Sequence, residues 1–464
     1  MLLKYFYDKP LAQASYLIGC QRTREAVVID PMRNIAPYLQ AAAEEGLTIT
    51  HVTETHIHAD FVSGVRELAA HTGARLFLSA EGGADWQYGY GDAARGDQHL
   101  HDGDVFYVGK VEVRAMHTPG HTPEHLCFLV TDTANADRPM GIFTGDCVFV
   151  GDMGRPDLLE TAAGIVGAKE IGAAGQWQNV LKFRELPDYL QLYPGHGAGS
   201  ACGKALGAIP TSTVGYEKMF NPAFQFRDEA SFVRWLLADQ PETPRYFKQM
   251  KRVNREGPAL IDTLPTPEPL EGFVLAEIVK SGANVIDARM IDEVGSLITG
   301  AIRIPPGTQF NTYAGWVVNF DQPTYLIAEP DAVRSLTAEL RAVGVDQVMG
   351  YFTPEVVESA EKFIAQTDAK GAQTLIDQGA LVLDVRGASE FSEGHIDGAV
   401  NIPYGLLASH AAELPRETPM IIHCQSGARS LIASSILDKL GFTNMINMIG
   451  GFEAWQRANQ AVTP

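Results

Sequence analysis

Histidines and acidic residues recur on four loops in the first half of the chain. Each of these loops follows a strand-like run and ends in a turn, so all four can meet at one edge of a sheet. Imidazole nitrogens and carboxylate oxygens at such a meeting point are suitable metal ligands. The pattern therefore predicts a metal site. The candidate ligands are His56, His58, Asp60, His121, Asp146 and His196.

A cysteine loop in the last part of the chain is the second candidate for chemistry. Cys424 follows the strand-like run 420–423 and precedes a helix-like run, 429–440, that stops at Gly441. Free backbone N–H groups and the positive end of the helix dipole would face the thiol there. Both stabilise a thiolate, so we expect a pKa below the reference value of about 8.5. The loop ends in Arg429 and can also cradle an oxyanion.

The five cysteines are odd in number and widely spaced, which is not the pattern of a disulfide framework. Cys127 and Cys147 stand in apolar strand-like runs, and we expect them in the core. Cys20 precedes a polar turn and is undecided. Cys202 lies in a glycine-rich stretch shortly after His196.

The chain has 464 residues, which is too long for one ordinary domain and suggests about three. The proline-rich stretch 258–269 is typical of a stiff linker. After it, the run 284–289 is echoed by 381–386 at a spacing of roughly 97 residues. That spacing is too long for a solenoid and fits two tandem domains of one fold.

Strand-like β-branched runs alternate with helical runs throughout, which predicts a multidomain α/β protein with parallel sheets in the two later domains. The predicted elements include strands at 14–18, 25–29, 381–384 and 420–423 and a helix at 63–71. The predicted bounds are 1–257 for the first domain, 258–269 for the linker, and 270–364 and 366–464 for the tandem domains.

Composition narrows the possible partners. Apolar residues make up 45% and charged residues 20% of the chain, which is typical of globular proteins. The formal net charge of −20 makes nucleic acids and anionic membrane surfaces poor partners. No run approaches the roughly 18 apolar residues of a membrane span. Polar residues interrupt the first twenty positions where a secretion signal needs an apolar core, so we expect a cytoplasmic protein.

The histidine and aspartate motif resembles that of the metallo-β-lactamase superfamily, across residues 1 to about 257. The resemblance implies an αββα sandwich. Phe61 stands where two-metal hydrolases of the superfamily, such as glyoxalase II, have a histidine. A second ion would therefore keep only Asp60, His196 and a shared Asp146, so one metal is expected.

Within the superfamily the chain most resembles the persulfide dioxygenases, which bind one Fe(II) through two histidines and an aspartate. The implied iron ligands are His56, His121 and Asp146. This set leaves three open positions and suits O₂ chemistry. His58 and Asp60 would orient ligands or bound water, and His196 is a weaker candidate ligand. Direct coordination by His58 stays open.

The same resemblance suggests roles for two further residues. Arg155 matches a Gly-Arg loop, where it would hold a carboxylate of the substrate or form an internal ion pair with Asp152 or Asp157. The stretch around Cys202 resembles bacterial fusions of a persulfide dioxygenase with rhodanese domains. That thiol would take up a persulfide near the iron, or it packs as a small residue in a tight loop.

The Cys424 loop resembles the active-site loop of rhodaneses, across roughly residues 368–464. A rhodanese carries sulfane sulfur as a cysteine persulfide, whereas a phosphatase on a similar loop would need a dedicated acid and is disfavoured. In the first copy, aligning Arg334 on Arg429 places Glu329 opposite Cys424. Glutamate cannot carry sulfane sulfur, so the first copy is expected to be an inactive spacer or docking domain.

The order of the domains resembles the bacterial persulfide dioxygenase–rhodanese fusions. It implies that one Fe(II) per chain supports oxidation of a small thiol persulfide by O₂ to sulfite. The rhodanese thiol would then join sulfane sulfur to sulfite and give thiosulfate. We also expect a homo-oligomer. Two alternatives stay open: a glyoxalase-II-like zinc thioester hydrolase fused to a rhodanese, and a non-enzymatic sulfane-sulfur carrier or sensor.

Overall fold

The computed structural model describes residues 1–290, 296–359, 361–458 and 462. The chain divides into two compact units, Met1–Thr263 with Ala342–Gly344 and Leu264–Arg341 with Val345–Pro464. The main division falls between Thr263 and Leu264, inside the segment predicted as a linker. Within the described ranges, every helix is too short or too polar to cross a membrane.

Two six-stranded sheets form the framework of the first unit. In the first sheet the strands follow chain order: β1 (Leu2–Asp8), β2 (Gln13–Cys20), β3 (Glu25–Ile29), β4 (Thr48–Thr53), β5 (Arg75–Ser79) and β6 (Gln98–Leu100). The second sheet comprises β7 (Val105–Val108), β8 (Val111–His117), β9 (Leu126–Asp132), β10 (Gly141–Gly145), β11 (Gln191–Pro194) and β12 (Ser212–Thr213). These strands also lie side by side in chain order.

Helices cover the outer faces of the two sheets. They are α1 (Ala36–Glu44), α2 (Val65–Thr72), α3 (Leu158–Thr161), α4 (Ala168–Glu185), α5 (Val214–Phe220), α6 (Glu229–Leu237) and α7 (Phe247–Glu256). Phe77 and Phe128 belong to a core between the sheets. Tyr38 of α1 and Phe232 of α6 belong to separate cores on the two outer sides. The layers are thus helix, sheet, sheet, helix, which confirms the predicted αββα sandwich.

The second unit contains two five-stranded sheets and a two-stranded one. The first five-stranded sheet and the pair comprise β13 (Glu268–Pro269), β14 (Asn284–Asp287), β15 (Ser296–Ile298), β16 (Ile302–Arg303), β17 (Thr324–Ile327), β18 (Val348–Phe352) and β19 (Glu361–Phe363). The other comprises β20 (Ala365–Thr367), β21 (Leu381–Asp384), β22 (Val400–Asn401), β23 (Met420–His423) and β24 (Met445–Met448). Their orders are β13-β18-β17-β14-β16 and β20-β24-β23-β21-β22, with β15 paired to β19.

Each strand of the two larger sheets in this unit runs parallel to its neighbours. The helices of the unit are α8 (Leu275–Lys280), α9 (Phe310–Val317), α10 (Pro330–Ala342), α11 (Ala369–Asp377), α12 (Ala388–Ser392), α13 (Leu407–His410), α14 (Ala428–Lys439) and α15 (Gly451–Arg457). When the strands of the two sheets are matched in chain order, with β15 and β19 left out, both sheets have the same strand order. This confirms that the sequence repeat reflects two α/β domains of one fold. Their central strands show continuous apolar runs because parallel strands are buried on both faces.

Predicted element bounds agree best where a strand is buried. Strands β3, β21 and β23 have the predicted bounds. The helix predicted over 63–71 begins two residues later, at Val65. Gly64 precedes it, and a Cβ at that position would lie 2.0 Å from the carbonyl oxygen of Met32. The backbone at Gly64 therefore packs directly against the backbone of Met32, and the helix begins after this contact.

Candidate functional site

The predicted metal ligands lie together at one end of the two sheets of the first unit. His56 follows β4, His121 follows β8, Asp146 follows β10 and His196 follows β11. Gly195, between β11 and His196, makes this convergence possible. A Cβ on Gly195 would lie only 2.7 Å from Oδ1 of Asp146.

Two histidines and one aspartate form the first possible ligand set. The ligand atoms of His56, His121 and Asp146 all lie within 4.8 Å of one another, and all three residues are buried. Oδ2 of Asp146 is 3.5 Å from Nε2 of His121 and 3.9 Å from Nε2 of His56. Two atoms that each bind one ion at about 2.1 Å lie at most about 4.2 Å apart, so both distances suit a shared ion.

The polar atoms of this set also need a partner. Over the described ranges, Nε2 of both histidines and both carboxylate oxygens of Asp146 are buried without a hydrogen-bond partner. Unpaired buried polar atoms are rare and costly. Nδ1 of His56 is 3.0 Å from Oγ1 of Thr55, and Nδ1 of His121 is 3.0 Å from the carbonyl oxygen of Arg155. The rings are therefore held with Nε2 facing the centre, and a metal ion fits these residues.

The electrostatics of the two rings suit metal binding as well. Burial, reinforced by the neighbouring histidines, holds the pKa of His56 well below its ordinary value. Burial also lowers the pKa of His121, although the charge of Asp146 opposes it. Both imidazoles are therefore neutral near pH 7, and a neutral ring has a lone pair to offer.

A second possible ligand set lies beside the first. Asp60, His196 and Cys202 have ligand atoms within 4.8 Å of one another. Nε2 of His196 is 3.2 Å from Oδ2 of Asp60 and 3.5 Å from Oδ1 of Asp146. Sequence analysis had named Asp60, His196 and a shared Asp146 for this position. It had missed that Cys202 reaches the same point.

Cys202 is fully buried within this second set. Burial, followed by the charges of Asp60 and Asp146, raises the pKa of its thiol well above the ordinary value. The thiol therefore stays protonated unless a cation is beside it. This position agrees with the predicted proximity to the metal loop, but the thiol has no exposed surface at which it could take up sulfur directly from solvent.

His58 belongs to neither set. Its Nε2 lies 3.2 Å from Oδ1 of Asp30, and Asp30 also accepts the Thr55 N–H at 2.6 Å. Burial lowers the pKa of His58, but the hydrogen bond to Asp30 and nearby carboxylates outweigh burial and raise it to about 9. His58 is thus placed to orient the loop, as one of its two predicted roles required. Asp30 was not among the site residues predicted from the sequence.

Phe61 is buried at the position where the two-metal hydrolases have a histidine, with its ring 4.3 Å from the His58 ring. Asn254 of α7 holds this loop. Its Nδ2 donates to the carbonyl oxygens of His58 and Phe61, each at 2.8 Å, and its Oδ1 accepts the Ser63 N–H at 2.9 Å. Sequence analysis missed Asn254, because it is one of several polar residues in α7 and belongs to no motif.

Arg155 forms the internal ion pair, not a substrate contact. Its Nε and Nη2 donate to Asp157 at 2.8 and 2.5 Å, and its Nη1 donates to the carbonyl oxygen of Ala201 at 3.1 Å. Arg155 is only 1% exposed. Because its guanidinium is already paired, these contacts favour the internal ion pair over the hypothesis that Arg155 holds a substrate carboxylate. Its backbone carbonyl instead fixes the ring of His121.

In the second unit, Cys424 lies between β23 and α14. Its Sγ accepts the N–H of Gly427 at 3.1 Å. The carbonyl oxygen of Cys424 accepts the N–H of Phe452 at 2.7 Å. A Cβ on Gly451 would lie 2.3 Å from that same oxygen, so glycine is required there. The loop thus places the sulfur at the N-terminus of α14, as the sequence predicts.

Arg429 is not a free cation beside this thiol. Its Nη1 and Nη2 donate to the two oxygens of Glu390 at 2.5 and 2.8 Å. Burial raises the pKa of Glu390, but the hydrogen bonds from Arg429 outweigh it and lower the pKa overall. An anionic sulfur acceptor such as sulfite would therefore meet a guanidinium that is already paired with a carboxylate. The sequence showed Arg429 but not its partner.

The first tandem copy contributes to the surroundings of the Cys424 loop. Tyr313 of α9 packs edge-on against Tyr404, with ring centroids 5.7 Å apart. Trp316 of the same helix presses on Gly405, where a Cβ would lie 2.1 Å from its ring. Burial raises the pKa of Tyr313, and the nearby charge of Arg429 opposes that rise. The first copy is thus part of the environment of the thiol, which the sequence did not indicate.

The corresponding loop of the first copy is shorter. β14 pairs Asp287 with Ile327, and β21 pairs Asp384 with His423. The residue after the strand is therefore Ala328 in one copy and Cys424 in the other. Two residues, 328 and 329, separate β17 from α10, whereas four, 424–427, separate β23 from α14. The alignment that placed Glu329 opposite Cys424 was wrong by one position, because it ignored this length difference.

Comparisons with known proteins agree with this architecture. The family model of the metallo-beta-lactamase superfamily matches residues 8–196, and that of the rhodanese-like domain matches residues 368–458. A solved metallo-beta-lactamase from Staphylococcus aureus subsp. aureus COL is 45% identical, with a TM-score of 0.70. The match covers 76% of this chain and 99% of that one.

Two groups of curated relatives match the first unit. A hydroxyacylglutathione hydrolase from Rhodopseudomonas palustris (strain BisA53) is 32% identical over 240 residues, which cover 52% of this chain and 80% of the relative. The mitochondrial persulfide dioxygenase ETHE1 from Homo sapiens is 29% identical over 224 residues, which cover 48% of this chain and 75% of the relative. Two other curated relatives are matched over only 53% and 60% of their own length.

The αββα fold, the ligand-bearing loops and these matches define the class: the chain belongs to the metallo-beta-lactamase superfamily. In particular, the chain joins a domain of that superfamily to a C-terminal rhodanese-like domain. Persulfide dioxygenases are among the homologues of the first domain. Between these two domains in the sequence lies the first of the two α/β domains that share one strand order.

Proposed function

We propose that the protein oxidises a thiol persulfide with O₂ at one Fe(II) and transfers sulfane sulfur through Cys424. The observation that carries the proposal is the buried set of two histidines and one carboxylate in a chain that also has a thiol loop at a helix N-terminus. Both sites handle sulfur chemistry, so one chain would perform consecutive steps.

Iron held by His56, His121 and Asp146 would supply the redox chemistry that joins O₂ to sulfur. The protein's own part is positional. Thr55 and the carbonyl of Arg155 fix the histidine rings. The overall step balances as R–S–SH + O₂ + H₂O → R–SH + HSO₃⁻ + H⁺, in which the outer sulfur is oxidised and O₂ is reduced.

Cys424 would carry the transfer. Its thiolate attacks the outer sulfur of a second persulfide, a new S–S bond forms as the S–S bond of the substrate breaks, and the thiolate R–S⁻ leaves: Cys–S⁻ + R–S–SH → Cys–S–SH + R–S⁻. Sulfite then attacks that sulfur, and Cys424 leaves as a thiolate that accepts the Gly427 N–H. The transfer is Cys–S–SH + SO₃²⁻ → Cys–S⁻ + S₂O₃²⁻ + H⁺, without net oxidation.

Cys202 enters the proposal through its position. Its sulfur lies in the set with Asp60 and His196, next to Asp146. A thiol there can receive or hold sulfur only from within the metal cavity, because the residue has no exposed surface.

A two-metal thioester hydrolase is the second candidate function. The observation in its favour is the second set of three ligand atoms, from Asp60, His196 and Cys202. The hydroxyacylglutathione hydrolase relatives match the same unit.

Metal analysis of the purified protein, combined with two activity assays, separates the candidates. The proposal expects about one iron per chain, O₂ uptake with a persulfide, and no thioester hydrolysis. Two zinc ions per chain with thioester hydrolysis and no O₂ uptake would favour the hydrolase. A metal-free protein that binds sulfane sulfur would point to a carrier or sensor.

A further inference from the structure

A small cleft, partly open to solvent, lies beside His121. Most of its wall is apolar, formed by residues such as Ile57, Trp86, Leu158 and Phe247. The polar side chains in the wall are His121, Thr122 and Lys251. The cleft thus combines an apolar passage, one edge of the first ligand set and one cation.

Lys251 lies on α7, and its ammonium group is 4.0 Å from the centre of the Trp86 ring. No hydrogen bond or ion pair to this ammonium occurs among the residues that the structure describes. Burial lowers the pKa of Lys251, and the charges of Asp85 and Glu124 partly offset that effect. A half-buried cation with only an aromatic face and distant carboxylates nearby is suited to bind an anion.

Other cations of this region are already paired. Arg155 gives its guanidinium to Asp157 and to the carbonyl oxygen of Ala201. Arg255 donates to the carbonyl oxygen of Asp85 and to Glu256. Among these cations, Lys251 is therefore the one whose charged group can pair with an anionic ligand in the cleft.

We propose that Lys251 binds the carboxylate of a small organic persulfide whose sulfur end faces His121. The inference rests on the proposed function and names its substrate class: a short aliphatic persulfide with a carboxylate at the far end. The apolar wall would accept the methylene groups between the two ends, and the ammonium would pair with the carboxylate. The residue would position the substrate and set specificity.

Two substrates of similar length test this inference in the iron-loaded, full-length protein. They are the persulfide of 3-mercaptopropionate, which has a carboxylate, and that of 2-mercaptoethanol, which is neutral. Lys251→Met should raise KM about tenfold for the first substrate, since one charge-assisted contact is lost, and leave its kcat within about twofold. KM for the neutral persulfide should change less than about twofold.

Matched variants control for effects on the helix. Lys248→Met removes a cation from the exposed face of α7 and should leave both substrates unaffected. Lys251→Arg keeps the charge and should recover most of the affinity for the carboxylate substrate. Equal changes of KM for both persulfides in Lys251→Met, or no change for either, would overturn the inference.

A binding measurement separates this inference from the proposed function. Calorimetry with the thiols 3-mercaptopropionate and 2-mercaptoethanol needs no turnover. Wild-type protein should bind the first more tightly, and Lys251→Met should lose that difference. If O₂ uptake is absent but this difference holds, the proposed oxidation fails and the role of Lys251 stands. If wild-type protein does not distinguish the two thiols, the role of Lys251 is refuted.

Discussion

The metal centre and the thiol loop are both built at strand ends, but they differ in how their polar atoms are satisfied. Around His121 and Asp146, buried ligand atoms lack hydrogen-bond partners among the described residues. Around Cys424, the sulfur accepts an N–H and Arg429 is paired with Glu390. The unpaired ligand atoms of the first site can take up an ion, whereas the reactive sulfur of the second already has a partner. The two activities should therefore be lost independently.

The largest expected effect removes the sulfur carrier. Cys424→Ser should lower thiosulfate:cyanide sulfurtransferase activity by at least about a thousandfold, because a hydroxyl group cannot form the persulfide. O₂ uptake with a persulfide should stay within about twofold, since the metal ligands are untouched. Sulfurtransferase activity that survives this substitution would mean that another cysteine carries the sulfur.

The reciprocal substitution removes one metal ligand. His121→Ala should lower the iron content and reduce O₂ uptake by more than about 100-fold, while sulfurtransferase activity is retained. Replacement from the same loop is not available, because both ring nitrogens of His125 are already engaged by Thr118 and by the Asp146 N–H. His101→Ala, at an exposed histidine, is the matched control. Full iron loading of His121→Ala would mean that His121 is not a required metal ligand.

Much of this architecture could be predicted from the sequence. Buried strands have continuous apolar runs, so β3, β21 and β23 were located, and with them the loops that follow. The ligand types on those loops then indicated the centre. The partner of a charged side chain was harder to predict. Arg155 could pair with the carboxylate two residues away or with a substrate, and the sequence favours neither. Asn254 and Lys251 are two of several polar or charged residues in α7, so no pattern marked them.

The third prediction compares the two tandem copies. In a Cys424→Ser background, adding Ala328→Cys at the position that corresponds to Cys424 should not restore sulfurtransferase activity. The first copy has two loop residues where the second has four, so it cannot supply the same N–H groups. Pro330 also lacks an N–H of its own. Cyanide-dependent thiocyanate formation by the double variant, measured against Cys424→Ser alone, would show that the degenerate loop is still competent.

The smallest expected effect concerns the acidity of the cysteines. Burial alone does not separate them, because Cys424 is only 1% exposed and Cys202 is 0% exposed. The raised pKa of Cys202 keeps it a thiol, and thiols react poorly. Mild treatment with a sulfane-sulfur donor should therefore modify Cys424 and leave Cys202 unmodified, as followed by mass spectrometry. Equal modification of both would mean that Cys202 is more acidic than its surroundings imply.

The most direct test of the coupled function is the ratio of O₂ consumed to persulfide consumed. When sulfite formation and transfer both operate, the balanced reaction is 2 R–S–SH + O₂ + H₂O → 2 R–SH + S₂O₃²⁻ + 2 H⁺. Wild-type protein should therefore consume one O₂ for every two persulfides and produce thiosulfate. Cys424→Ser should consume one O₂ per persulfide and produce sulfite. An iron-loaded protein that consumes no O₂, or the same ratio and product from both proteins, would contradict the account.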